Sequence, residues 1–539
     1  MSRRSPVAPF LLFAFFAIPL AAQLPQGIAA GDVRSDSVIL WARSADAGEI
    51  HFLVKSRQTP PLVRSAAVHV SDPNIPAKAE ITGLRAGTTY DYSVAGGHGK
   101  PMTGTFRTPA EPGELHGLHF GITGDWRGEL APYQSVSNAA GRDLDFFVEF
   151  GDTIYADYPS PALPIAQAET LADFRTKQAE VYTEKNGLNT LADIRRSTAI
   201  FATIDDHEVT NDFAGGAPAA SDPRFGTTTG LINQTELFHN GIQAFQEFNP
   251  VRGEVSAGGV AKFYRYRTFG SDAAMFLLDA RTFRDQELVP ANLLSTPDVI
   301  RFVVQSFSFP RTLLGSEQLA ELESDLLDAQ SKGITWKFVL VPEPIQNFGV
   351  VAAEDRYEGY ARERTALLNF VKTNALTNVV FVTADLHGTV VNNLTYQLAP
   401  FAPQIPTDSW EIVTGAVAYD APLGPTIVDL GLFYGLISPA QKVIYDSLPL
   451  VGKDQFVKQV LNTQITTLGY DPIGLDSATA TLLAGDYFAV HTYGWTEFTI
   501  DAATRQLDVT TWGIPAYKVG DPFVPRTPAI VSRFLVNAH

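Results

Sequence analysis

The stretch from Asp145 to Asp157 reads Asp-Phe-Phe-Val-Glu-Phe-Gly-Asp-Thr-Ile-Tyr-Ala-Asp. It is a short apolar run that stops at Gly151 and is followed at once by Asp152, Tyr155 and Asp157, the pattern of a buried strand with a polar tip. In open α/β sheets ligands bind beyond the carboxyl ends of the strands, and a carboxylate there, beside a glycine that permits close approach, suits a metal ion. The design recurs in His119 to Asp125, in Ala199 to Glu208 (ending Asp205-Asp206-His207-Glu208), in Ala274 to Arg281 (with Asp279) and in Asn378 to Gly388 (with Asp385 and His387). Singly, each member has an ordinary use. An Asp at a strand end is commonly a turn residue, Asp205-Asp206 could cap a helix, His387 could be a satisfied histidine, and Arg281 and Arg284 could sit in structural ion pairs. Together they are costly unless metallated, because carboxylates crowded into one space repel and cations remove the penalty. The oxygen-rich set with one or two imidazoles suits iron(III), manganese, magnesium, calcium or zinc, and excludes soft sites.

Composition narrows the partners. The chain has 539 residues, enough for two or three domains, with 45% hydrophobic and 18% charged residues, as in a well-buried globular protein. A net charge of −18 argues against general nucleic-acid binding, and means that any phosphate site must carry its own positive charge. The absence of cysteine excludes disulfides, zinc ribbons, iron–sulfur clusters and thiol nucleophiles. Arg3 and Arg4, the apolar run Val7 to Leu20 and the small pair Ala21-Ala22 follow the order of a secretory signal, so residues 1–22 are expected to direct export. No other stretch is long and apolar enough to span a bilayer.

Residues 23–109 read as a small fibronectin-like all-β domain, with short strands at Ser37–Arg43, Ile50–Lys55, Ala66–Val70, Ala79–Thr82, Thr89–Ala95 and Gly104–Thr108. Gly83 to Tyr90 looks like its corner, and no ionisable cluster is evident there. Pro109 to Gly113 is a linker by composition. From residue 114 to 539 apolar strands alternate with amphipathic segments, an α/β signature. Leu115–Thr123 is the first strand expected. Helices are expected at Gln167–Tyr182, Leu231–Phe248, from an N-cap at Ser316 to a stop at Gly333, and at Tyr360–Thr373. Pro422 to Ala484 has no clear pattern and is read as an insertion able to cover the site.

Several of these pieces resemble one family. Gly31-Asp32 with Ser37 to Arg43, Gly151-Asp152-Thr-Ile-Tyr155, Asp205-Asp206-His207-Glu208-Val209-Thr210-Asn211, Leu278-Asp279-Ala-Arg281-Thr-Phe-Arg284 and Asp385-Leu-His387 are similar to motifs of the PhoD-like alkaline phosphatases and phosphodiesterases of the metallophosphatase superfamily. The resemblance spans nearly the whole mature chain. It implies a metallophosphatase-type two-layer β-sandwich flanked by helices, with metals along one edge. It implies that Asp152 bridges the metals, that Tyr155 and His387 bind iron(III), and that Asp206, Asn211 and Asp385 bind a second position, calcium in the best-known relatives. It places His207 beside the phosphate. Where that family has a Ser-Cys pair, this chain has Gly124-Asp125. Asp125 is then an oxygen ligand in place of a thiolate, which hardens the site and leaves manganese or another divalent ion open beside iron.

The expected chemistry is metal-assisted hydrolysis of a phosphoester, with His207 stabilising the transition state or protonating the leaving group and Arg281 clamping phosphate oxygens. A phosphodiesterase of phospholipase D type and a non-catalytic phosphate- or surface-binding protein are the rivals. The sequence does not set the oligomeric state.

Overall fold

Apolar strands with both faces covered dominate the architecture, which is known from a computed structural model that describes residues 24–96, 100–226, 229–476 and 479–539. The expected export signal at residues 1–22 lies outside them. One sheet has eleven strands. Its centre is three parallel strands, Leu118–Trp126, Phe146–Phe150 and Ala199–Thr203. A second sheet has seven strands, with Ala273–Leu277, Trp336–Leu340, Val379–Thr383 and Ile405–Val413 parallel in that order. Parallel strands buried on both faces read as continuous apolar runs, which is why these segments lack alternation.

The two sheets meet face to face through aromatic rings. Phe146 stacks on Phe269 at 4.5 Å between centroids, and Phe120 meets Phe338 edge-on at 5.0 Å. Burying each such ring contributes roughly 1.5–3 kcal/mol. Polar side chains also tie the layers near the strand tips: Thr203 Oγ1 donates to Leu278 O at 2.8 Å, and Thr123 Oγ1 to Gly415 O at 2.8 Å. The carboxyl ends of the parallel strands in each sheet therefore lie along one edge.

The N-terminal β-region is joined to this body more closely than its pattern implied. Ile28–Arg34, Ser37–Ala42 and Ala77–Thr82 extend the eleven-stranded sheet, with Ala30 and Gly31 paired in parallel to Ala199 and Ile200. A Cβ at Gly31 would lie 2.6 Å from Ile200 O and from Pro250 Cγ. The other layer is a four-stranded sheet containing Gly48–Ser56 and Thr89–Gly96. Tyr90 makes the corner expected of it, its hydroxyl accepting from Arg85 N at 2.7 Å. The expectation of no ionisable cluster in this region is corrected. Buried Asp32 pairs with Arg252, Arg265 and Arg267 across the junction. Burial opposes its ionisation, but Arg265, Arg267 and Arg252 hold its carboxyl well below the usual range.

Helix limits differ at their ends. Leu171–Glu180 starts at a capping box made by Thr170 and Asp173. The Leu231–Phe248 expectation resolves into a single 3₁₀ turn, Ile232–Gln234, and the helix Glu236–Phe248. Ser316 is the first helical residue and Gly315, at φ 80°, is the cap. Pro422 to Ala484 contains the helices Leu423–Phe433, Pro439–Ser447 and Leu450–Thr467. No helix among the described residues is long and apolar enough to cross a membrane.

Candidate metal centre

At the tips of the parallel strands the backbone turns through conformations that side chains usually avoid. Asp125, Asp152, Asp385 and His387 all have positive φ, of 64°, 49°, 67° and 54°. Such residues cost of order 1–3 kcal/mol each and persist where the surroundings dictate them, commonly at functional sites. Gly151 makes the close approach possible. Its φ is 76°, and a Cβ on it would lie 2.7 Å from the Cβ of Asp205.

Glu208 fixes two of these loops at once. Its buried carboxylate accepts from the backbone N–H groups of Asp152 (3.1 Å), Thr153 (2.7 Å) and Asp205 (2.8 Å), and from Thr153 Oγ1 (2.7 Å). Burial raises the Glu208 carboxyl to about 7 even against these donors. Nothing in the Asp205–Asn211 motif itself marks Glu208 as the group that holds these loops.

Asp152, Asp206 and His207 are buried and present ligand atoms all within 4.8 Å of one another. Burial, then the charges of Asp206, Asp205 and Asp125, push the Asp152 carboxyl well above its usual range. Burial opposes the charge on Asp206, and Arg281 and His207 hold that carboxyl low. Asp125 Oδ1 lies 3.1 Å from His387 Nε2. Asp125 Oδ2 and the Tyr155 hydroxyl are buried and without a hydrogen-bond partner. Tyr155 packs over His207 (4.3 Å) and Tyr419 (5.1 Å), and Tyr419 stacks on His387 at 3.9 Å. Asp385 is half-buried and raised by burial and by the charges of Glu343, Asp355 and Asp206. These carboxylates, two imidazoles and a phenol with orphaned oxygens form a donor set that fits a hard cation and is poorly stable without one.

Three residues sit differently from the expectation. Arg281 is not placed to clamp a phosphate. It is wholly buried, with Nε 2.5 Å from Asp205, a bidentate pair to Asp355 at 2.6 and 2.9 Å, and a 2.5 Å contact to Glu343. Every guanidinium nitrogen is committed to a carboxylate of the protein. Asn211 is exposed, and its amide donates to Asp212 rather than turning to the cluster. Asp279 caps its own turn, Oδ1 accepting from Arg281 N and Thr282 N at 2.9 Å each. That tip therefore supplies Arg281 to the network rather than a ligand. Glu343 and Asp355 were missed. Glu343 follows the buried run Trp336–Leu340 and could have been found by the same strand-tip rule. Asp355 lies in a loop that no pattern marks.

The model of the PhoD-like phosphatase family matches residues 124–427, more than half of the 539-residue chain. The model of the PhoD-like phosphatase N-terminal domain matches residues 17–110. Alkaline phosphatase D of Bacillus subtilis (strain 168) is 26% identical over 410 residues, which cover 68% of this chain and 65% of that protein. A solved structure titled "Structure of PhoD" superposes with a TM-score of 0.68 at 22% identity, covering 97% of this chain and 92% of that one.

Proposed function

This chain belongs to the PhoD-like phosphatase family, and from that premise we propose that it is an exported, metal-dependent phosphoester hydrolase acting at the cluster around Asp152. We take the two packed sheets for the family's catalytic body, from about residue 114 onward, preceded by a fibronectin-like domain. The observation that carries the reading is the burial of Asp152, Asp206 and His207 together, beside the unpartnered oxygens of Asp125 and Tyr155. Structural ion pairing does not account for carboxylates brought together at such electrostatic cost.

Asp125, Tyr155 and His387 would hold one cation, Asp206 and Asp385 a second, and Asp152 would lie between them. Asn211 would join the second group only by turning its amide away from Asp212. Iron(III) and calcium are the ions the family resemblance favours, while Asp125 in place of a thiolate admits manganese, magnesium or zinc. Bound cations neutralise phosphate charge and lower the pKa of water to near neutrality. The chain's own groups do the rest. Glu208 holds the loops of Asp152 and Asp205 in register, and the Arg281 network fixes Asp205. His207 presents an imidazole beside Asp152, its Nε2 4.0 Å from Asp152 Oδ2, where it can meet the departing oxygen of the ester.

The test is metal analysis of the purified protein together with hydrolysis of a phosphomonoester, a bis-ester and a phosphatidyl lipid, with Asp152→Ala alongside. Loss of both metal and hydrolysis in Asp152→Ala is expected. A fully metallated, full-rate variant would end the reading. The three esters separate a phosphatase from a phospholipase D-type enzyme. A purple or pink preparation would indicate tyrosinate on iron(III), and sequencing the N-terminus of the secreted protein tests export.

A further inference from the structure

A chain of net charge −18 that takes a phosphate must bring positive charge to it, and most basic groups bordering the cluster are already spent. Arg281 and Arg284 are paired with Glu343 and Asp355. Arg127 is taken by Glu129 and Asp420, and Arg224 by Asp222 and the Asn211 carbonyl. Lys177 is held by the Tyr158 carbonyl and Glu180.

Arg356 is different. A guanidinium carries donors on every nitrogen. Here Nη2 donates to Val351 O at 2.8 Å and reaches Glu358 Oε1 at 3.5 Å. Nε lies 3.4 Å from Glu358 Oε2, an ion-pair contact in which neither atom makes a hydrogen bond. No hydrogen bond engages Nη1 among the described residues, and 11% of the side chain is open to solvent.

The loop that carries Arg356 borders the Asp206 and Asp385 side of the cluster. Its neighbour Asp355 holds Arg281, and Arg281 Nη2 is 3.8 Å from Asp206 Oδ1. Glu358 accepts from Phe348 N at 2.7 Å. Phe348 packs against the same apolar cluster as Leu386, the residue that follows Asp385. Burial opposes the charge on Arg356, while Glu358 and Asp385 favour it. A cation on Asp385 would draw off that carboxylate's charge. The guanidinium would then hold unfilled donors and charge to spare at the edge of the cluster, which an anion satisfies.

We propose that Arg356 is a substrate-binding residue, donating through Nη1 to a non-bridging oxygen of the phosphoryl group at the Asp206 and Asp385 side. The inference rests on the phosphoester reading of this site and assigns it the arginine that Arg281 does not supply. No bond is made or broken at Arg356.

The metal-loaded protein, Arg356→Met and Arg356→Lys are compared for kcat and KM on a phosphomonoester, for inhibition by inorganic phosphate, and for metal content and melting temperature. Arg356→Met should raise KM and the inhibition constant of inorganic phosphate together, each about tenfold or more, as loss of a charge-assisted hydrogen bond does. Arg356→Lys keeps the charge and loses the planar fork, and should fall between the two. Inorganic phosphate has no alcohol part, so a shared shift assigns the contact to the phosphoryl group. Three outcomes would overturn the proposal while leaving the phosphoester reading intact: a lowered melting temperature with KM unchanged, as a purely structural ion pair gives; a raised KM with phosphate inhibition unchanged; or loss of metal in both variants. Failure of the unaltered protein to hydrolyse any phosphoester would overturn both.

Discussion

At the residue scale the cluster separates groups that the proposed reaction would meet from groups that hold them in place. Arg281 belongs to the second kind. Its guanidinium joins Asp205, Glu343 and Asp355 in a buried network with Arg284. Removing one partner from such a network leaves uncompensated charge in a medium that solvates it poorly. Arg281→Lys, which cannot reproduce the planar fork, is expected to cost about 3–5 kcal/mol of stability. A fall in the urea midpoint at constant m-value would measure it; unchanged stability with a raised KM would restore Arg281 to the phosphate. Glu208 acts on Asp152, a proposed ligand, through its backbone. Glu208→Gln should weaken metal affinity roughly 10- to 100-fold, as loss of an orienting partner typically does, read by competition with a chelator. Asp125, Asp152, Asp206, His207, Asp385 and His387 were legible because each follows an apolar run. Asp355 and the true partner of Asn211 were not, because loop geometry decides them and leaves no periodic trace.

At the scale of elements, strand existence was readable and strand partnership was not. The apolar runs at Phe146–Phe150, Ala199–Thr203 and Val379–Thr383 are strands, as their composition required. That Ile28–Arg34 pairs with Ala199–Thr203 was hidden, since a strand's composition does not name its neighbour. The insertion was opaque for another reason: apolar residues occur on several sides of its helices, so no single face stands out. It is fastened to the site residue His387 and, beside it, to the core at Val490. Leu423 N donates to His387 O at 3.0 Å, and Gly424 N to Val490 O at 2.8 Å. Beside them a buried relay links Asp454 Oδ1 to His491 Nδ1 at 2.6 Å and His491 Nε2 to the Tyr445 hydroxyl at 2.7 Å, joining two of the helices to the strand that leads into the core. His491→Ala would leave Asp454 and Tyr445 without this partner in a buried setting. Faster proteolysis and amide exchange confined to residues 423–467 are expected, with the two sheets unaffected. Uniform loosening of the whole protein would show that the relay belongs to the main core.

At the scale of the molecule, an acidic chain concentrates buried carboxyls at one edge, and this ties stability to pH in a definite direction. Burial raises Glu208 and Glu343 from 4.5 to about 7, and raises Asp152, Asp205 and Asp385 as well. For Glu343, Arg281 works against that rise and Asp355 adds to it. A carboxyl whose folded pKa exceeds its unfolded value binds more protons when folded. Its contribution to stability is therefore complete below the unfolded value and declines as pH rises through the folded one. Cations reverse the preference at their ligands, since they bind the ionised forms and compete with protons. The metal-loaded and chelator-treated proteins should thus unfold at similar temperatures near pH 4.5. Their melting temperatures should then diverge as pH rises, because the raised carboxyls of the proposed ligands Asp152 and Asp385 must ionise, at a cost that the chelated form alone bears. Because surface repulsion in a chain of net charge −18 acts on both forms, the difference between them isolates the site. Parallel curves across this range would mean that the raised carboxyls are satisfied without cations, and the case for a metal centre at these strand tips would fail.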